Sequence, residues 1–211
     1  YYLCPVGIGL WTPPELQGRS LQYTPRTVNH DLFGLAQMVF LLLFMGRHPF
    51  AGIPMSNQDY DLEEAIERHL FAYDSRDKRI RPPEISLRLD ALPTHMAGLF
   101  QRAFSKESDL PNGRPTAGEW YQALGLLLKN VRTCSRDQAH VYPVQARMCP
   151  WCEIQDRHGL NFFWTAGTTI VSSQTTLDLP TFIHTIESFP AVAKVYRRPD
   201  EVQSEQVTPT P

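Results

Sequence analysis

The sequence predicts a mainly α protein that carries a small β-containing module and ends in a flexible tail. Three observations lead there. Four stretches before residue 131 place apolar residues at the i, i+3, i+4 spacing of helices. Three of the four cysteines fall between Thr133 and Phe163, together with two histidines and several turn residues. Beyond Arg197 the chain is polar, proline-containing and aperiodic. The expected divisions are a helical unit over 1–131, a Cys/His module over 132–172, and a short helix with a disordered tail or linker over 173–211.

Composition bounds the function. With 211 residues, 42% apolar and 20% charged, the chain can bury a sizeable core. A net charge of −2 provides no broad field for nucleic acid or an anionic membrane. The longest apolar stretch, FGLAQMVFLLLFMG from Phe33 to Gly46, is shorter than the roughly 18 residues that cross a bilayer, so it reads as a buried helix. The cysteine spacing is not that of a secreted disulfide framework, which favours a reducing, cytoplasmic setting.

The elements follow from breakers and periodicity. VGIGLWTPPEL, Val6 to Leu16, crowds glycine and proline into a loop and suggests that the chain starts inside a domain. A helix is expected from a cap at Asn29 or Asp31 to about Met45, stopped by Gly46. Being apolar nearly all round, it should be surrounded by protein. DYDLEEAIERHLFAY, residues 59–73, predicts a second helix with Leu62, Ala65, Ile66, His69 and Leu70 on one face. RIRPPEISLRLDALP, residues 79–93, reads as a surface connection. THMAGLFQRAF (94–104) and TAGEWYQALGLLLKNV (116–131) predict two amphipathic helices. The β-favouring run is NFFWTAGTTIVSS, 161–173, and TLDLPTFIHTIESF, 176–189, offers one more helix.

Three of these segments, read together, resemble a known family. GIGLWTPPEL, NHDLFGLAQMVFLLLFMGRHPFAG and GRPTAGEWYQAL are similar to the C-terminal lobe of eukaryotic-like protein kinases, over about residues 5–130. Pro13-Pro14-Glu15 stands where kinases carry Ala-Pro-Glu. Asp31-Leu32-Phe33-Gly34 matches their Asp-x-Trp-x motif, and Arg114 matches the arginine before the last helix. The resemblance implies a Glu15–Arg114 ion pair, in which the planar guanidinium suits a carboxylate. It also implies that Asp31 braces a catalytic loop. Taken singly, Glu15 reads as a turn cap, Asp31 as an N-cap and Arg114 as a solvated cation; the three in order favour the family reading.

The resemblance also shows what the 211 residues lack. They contain no Gly-rich nucleotide loop with its lysine, no His-Arg-Asp loop and no Asp-Phe-Gly. ATP and magnesium would be bound only by the intact protein. Gly7, Ile8, Trp11 and Thr12 belong to the implied substrate-facing loop. Ile8 stands where most active serine/threonine kinases place a threonine, which leaves both an active kinase and a pseudokinase open. Trp11, in the usual aromatic position, would pack the loop.

A second signal is metal chemistry. Cys134-x5-His140 and Cys149-Pro-Trp-Cys152 give three thiolates and an imidazole, the donor set of a closed structural zinc site. His158 competes as fourth ligand; His140 is preferred because it completes a knuckle with Cys134. The plainer reading is that the cysteines are unrelated. Zinc would organise a zinc-ribbon-like module whose own apolar residues, Trp151, Phe162, Phe163 and Trp164, are few. Cys4 reads as an ordinary thiol, and His30, His48, His69, His95 and His184 as loop or packing residues.

PPELQG, GRHPFAG and the following CPWC together look like a group of bacterial serine/threonine kinase-like proteins, some of which carry helix-hairpin-helix DNA-binding domains. The expected function is therefore that of a fragment of a serine/threonine kinase, acting on a protein substrate or regulatory protein. The alternative is a pseudokinase adaptor that binds protein, or nucleic acid through a missing C-terminal domain.

Overall fold

The computed structural model describes residues 3, 5–160, 162 and 163. It is mainly α with two small antiparallel strand pairs. The helices are α1 (Val28–Leu43), α2 (Leu62–Glu67), α3 (Thr94–Phe104), α4 (Ala117–Lys129) and α5 (Pro150–His158). Strand β1 (Ile53–Pro54) pairs with β2 (Ile80–Arg81), and β3 (Val131–Thr133) with β4 (Val141–Pro143). Cys4, Trp164, His184, the expected helix over 176–189, the tail, and all of the β-favouring run except Phe162 and Phe163 lie outside the described residues.

Helix α1 is the spine of the fold. Its N-cap is Thr27 rather than Asn29 or Asp31, and the Thr27 N–H donates to His30 Nδ1 at 3.0 Å. Asn29 is thereby placed on the helix and its side chain is free for a tertiary bond. The C-terminus follows expectation: Gly46, at φ +76°, donates its N–H to the Leu41 carbonyl five residues back. The expectation that protein surrounds α1 is corrected. Phe33, Ala36, Gln37, Val39 and Phe40 are buried, whereas Val28, Met38 and Leu42 are exposed. In this chain the core covers one side of the helix.

Aromatic rings fill that side. Phe40 stacks on Phe44 with centroids 3.9 Å apart and meets Phe71, Tyr73, Phe100 and Phe104 edge-on. Phe100 of α3 in turn meets Trp120 of α4 at 4.8 Å. Edge-to-face pairs of this kind add about 0.5–1.5 kcal/mol each beyond area burial.

Helix α2 is shorter than its periodicity predicts. Asp61 caps it, accepting the Glu64 N–H at 2.7 Å, and it ends at Glu67. His69 then adopts φ +55°. The reason is burial: Leu70, Phe71, Ala72 and Tyr73 are consecutive and all buried, which a helix with one core-facing side does not permit. The segment 79–93 is also corrected. Ile80, Leu87, Leu89, Ala91 and Leu92 are buried, and the buried Ser86 hydroxyl bonds Tyr73 Oη. Proline excludes an α-helix there but neither burial nor the short 3-10 turn at Leu89–Ala91.

Helix α4 begins on a Thr116/Glu119 capping box, and Asn130 alone separates its end from β3. The expected boundary after residue 131 therefore falls inside β3. Residues 1–165 cluster as one compact unit, and the buried core runs without a break from Trp120 and Leu127 to Tyr142, Trp151 and Ile154. The Cys-Pro-Trp-Cys stretch opens a helix rather than a β module. Pro150 at its first turn, Arg157 at its end and Gly159 at φ +66° are its start and stop signals. No helix among the described residues is long and apolar enough to cross a membrane.

Candidate functional site

Two constellations carry the chemistry. The first joins the loop at Glu15 to the turn before α4. Arg114 has a fully buried side chain and donates from both terminal nitrogens to Glu15, Nη1 to Oε1 at 2.6 Å and Nη2 to Oε2 at 2.8 Å. The same guanidinium reaches the Asn29 carbonyl at 3.0 Å and Asp109 Oδ1 at 3.2 Å, and lies 5.2 Å above the Phe33 ring centroid. Asn29 Oδ1 accepts the Arg114 N–H, and Asn29 Nδ2 donates to the Ser108 carbonyl. The segment fits this closely because residue 113 is glycine: a Cβ there would lie 2.8 Å from the Ser108 backbone.

Two histidines flank the pair, which the sequence did not suggest. His69 Nε2 lies 3.0 Å from Asp109 Oδ1, and His30 Nε2 lies 3.6 Å from Glu15 Oε1. Burial works to raise the Glu15 carboxyl, but its bonds to Arg114 prevail and hold it below the usual carboxylate range. Burial raises Asp109, against the pull of His69, and it lowers His30. His48 is lowered by burial too; its Nε2 faces the Gln37 amide at 2.8 Å and the Leu10 carbonyl at 3.3 Å. His95 is exposed.

Of the remaining kinase-like positions, Pro13 and Pro14 are buried, whereas Asp31, Gly7, Ile8 and Trp11 are exposed. Asp31 is exposed on the first turn of α1, and no hydrogen bond reaches its carboxylate among the described residues. Gly9–Trp11 forms a 3-10 turn and Pro14–Leu16 a second, with Pro13 extended just before it. Thr12 Oγ1 donates to the Ile8 carbonyl, and Gln17 and Gln37 side chains hold the carbonyls of Gly9, Thr12 and Leu10. The loop backbone is thus fixed while the Ile8 side chain projects outward. Trp11 is 39% exposed, so it packs the loop less fully than expected.

The second constellation is the thiol and imidazole cluster. Cys134 lies just past β3, His140 just before β4, and Cys149 and Cys152 at the start of α5. Their donor atoms all lie within 4.8 Å of one another, and all four residues are buried. Cys134 Sγ is 3.6 Å from Cys152 Sγ, and His140 Nδ1 is 3.4 Å from Cys152 Sγ and 3.7 Å from Cys149 Sγ. Zinc bonds of about 2.3 Å to sulfur and about 2.0–2.1 Å to nitrogen give tetrahedral edges of about 3.5–3.8 Å, so the donor set fits one such ion. His140 Nε2 faces Asp137 Oδ2 at 3.6 Å, the carboxylate backing common for metal-bound imidazole. The Arg136 N–H donates to Cys134 Sγ at 3.3 Å.

Burial raises the Cys149 thiol and, with the neighbouring sulfurs, pushes Cys152 up to about 12; backbone N–H groups lower Cys134. Three thiolates crowded this closely repel one another, and a shared cation removes that cost. His158, at the far end of α5, is not part of the cluster. Trp151 sits behind it, with its Nε1 donating to the Val141 carbonyl and its ring 5.0 Å from Phe163.

With both constellations placed, comparison with known proteins adds a relationship. The chain is similar to Protein kinase YegI. Proteins of that name from Escherichia coli strain K12 and Escherichia coli O157:H7 are each 40% identical to it over 176 residues, 82% of this chain and 27% of the relative. The chain thus spans about a quarter of the length of the curated relatives it matches. A match of that extent in 211 residues necessarily takes in Arg114 and the Cys/His segment, so the likeness to YegI is not limited to the kinase-like stretch. No family model and no solved structure matches the chain.

Proposed function

We propose that the chain is the substrate-side part of a serine/threonine protein kinase, braced by a structural zinc centre held by Cys134, His140, Cys149 and Cys152. The observation that carries this is the bidentate Glu15–Arg114 pair. It ties Pro13-Pro14-Glu15 to the turn before α4, in a chain similar to a protein named as a kinase. The intact protein transfers phosphate from ATP, with magnesium, to hydroxyls of a protein substrate in the cytoplasm. In this chain Gly7, Ile8, Trp11 and Thr12 face that substrate, and Asp31 awaits a catalytic loop supplied from outside it. With four protein donors the zinc site is closed, so zinc supplies cross-linking rather than catalysis.

One observation favours a second reading, a pseudokinase adaptor. Ile8, where an active kinase would carry threonine, is 67% exposed and presents an apolar side chain at the proposed docking loop. The experiment is ATP-dependent phosphorylation of a generic protein substrate. The kinase reading expects transfer by the longer polypeptide and none by these 211 residues, which lack the groups that hold and polarise the phosphates. Failure of the longer polypeptide to bind or use ATP supports the adaptor. Transfer by the 211-residue chain itself, free of contaminating kinase, would overturn both.

A further inference from the structure

The thiol and imidazole cluster is asymmetric in its access to solvent. On one side His140, 1% exposed, is closed off by Asp137 and by the Phe163 ring, 5.5 Å away. On the other side a cleft of about 410 Å³ is lined by Cys134, Cys149 and Cys152, with Arg136, Tyr142 and Met148 among its walls. A small solute in that cleft lies against the three cysteines, which are slightly more exposed than His140. The Cys134 and Cys152 sulfurs lie 3.6 Å apart and come from different elements, the end of β3 and the first turn of α5. A disulfide needs about 2.05 Å between sulfurs, a closure of the order that side-chain rotation provides.

We infer that Cys134 and Cys152 form a reversible oxidation site at which a peroxide converts the metal cross-link into a disulfide. This rests on the zinc reading above. One thiolate of the pair attacks a peroxide oxygen; the O–O bond breaks, leaving a sulfenic acid and hydroxide. The second thiolate attacks that sulfur; the S–S bond forms, the S–O bond breaks and a second hydroxide departs. The two sulfurs together lose two electrons and the peroxide gains them. Only Cys149 and His140 then remain as donors, too few to retain zinc against a chelator. The new bond joins the end of β3 to α5, so the two stay tied when the ion is gone.

The test uses the 211-residue chain in a Cys4→Ser background, assayed for zinc, treated with graded hydrogen peroxide in the presence of a chromogenic chelator, then alkylated and peptide-mapped. The expected result is a Cys134–Cys152 linked peptide, Cys149 alkylated, one zinc released per bridge, and recovery on adding dithiothreitol and zinc. Cys149→Ser should still form the bridge, whereas Cys134→Ser and Cys152→Ser should not. A Cys149–Cys152 bridge, or only sulfinic and sulfonic products, overturns the inference. So does the absence of any bridge at peroxide levels that oxidise free cysteine. If no zinc is present at the outset, the zinc reading fails by itself, and the map still decides whether the bridge forms.

Discussion

Arg114 and Glu15, 99 residues apart in sequence, meet through two parallel hydrogen bonds of 2.6 and 2.8 Å. The guanidinium is wholly buried and the carboxylate partly so. Removing the cation strands a carboxylate already partly withdrawn from water. Arg114→Ala should therefore destabilise the chain by about 3–5 kcal/mol in denaturant unfolding. Arg114→Lys should recover only part of that, because an ammonium cannot make the fork. A change within about half a kcal/mol for Arg114→Ala would show that the pair does not brace the loop.

The two sides of α1 should respond differently to mutation. Phe40 is fully buried among aromatic rings, while Leu42 is 74% exposed. Phe40→Ala is expected to cost about 3–5 kcal/mol. Leu42→Ser should change stability by no more than about half a kcal/mol. A large loss on Leu42→Ser, measured on the chain alone, would mean that this side of α1 is covered.

Stability should also depend on pH near neutrality through His30. Its Nδ1 accepts the Thr27 N–H, a bond lost when that nitrogen is protonated, and burial lowers the imidazole below its ordinary value of 6.5. The unfolded chain therefore binds the proton first. Stability is expected to be full above pH 6.5 and to fall as the pH drops toward the folded value. His48, lowered in the same direction, adds to the slope. His30→Gln keeps an acceptor at the third helical position without a titrating group, so unfolding curves across this range should flatten. An unchanged slope would remove His30 as the cause.

Metal analysis should return one zinc per chain, and cobalt substitution should give tetrahedral thiolate spectra. His140→Ala should weaken binding strongly and His158→Ala hardly at all, because only His140 lies among the sulfurs. Chelation should loosen β3, β4 and α5, which surround the cluster. Damage by His158→Ala instead would place the fourth donor elsewhere.

Local pattern was enough to place α1, α3 and α4, because periodicity and breakers act within a few residues. The family resemblance, rather than local pattern, pointed to Glu15 and Arg114, while the spacing of the Cys/His set pointed to a metal site because thiolates and imidazole are the donors zinc takes. What folds across distance was not legible. The early stop of α2 comes from burying Leu70 to Tyr73 together, and the pairing of Ile80 with Pro54 comes from a partner 26 residues away. His30 and His69 carry no local sign that they will border one carboxylate–guanidinium pair. Knuckle spacing with Cys134 already favoured His140 over His158, and the fold supplies the spatial reason. The β3–β4 hairpin brings His140 back to the sulfurs, while α5 carries His158 two turns away from the cysteines at its start, and only the folded chain measures that separation.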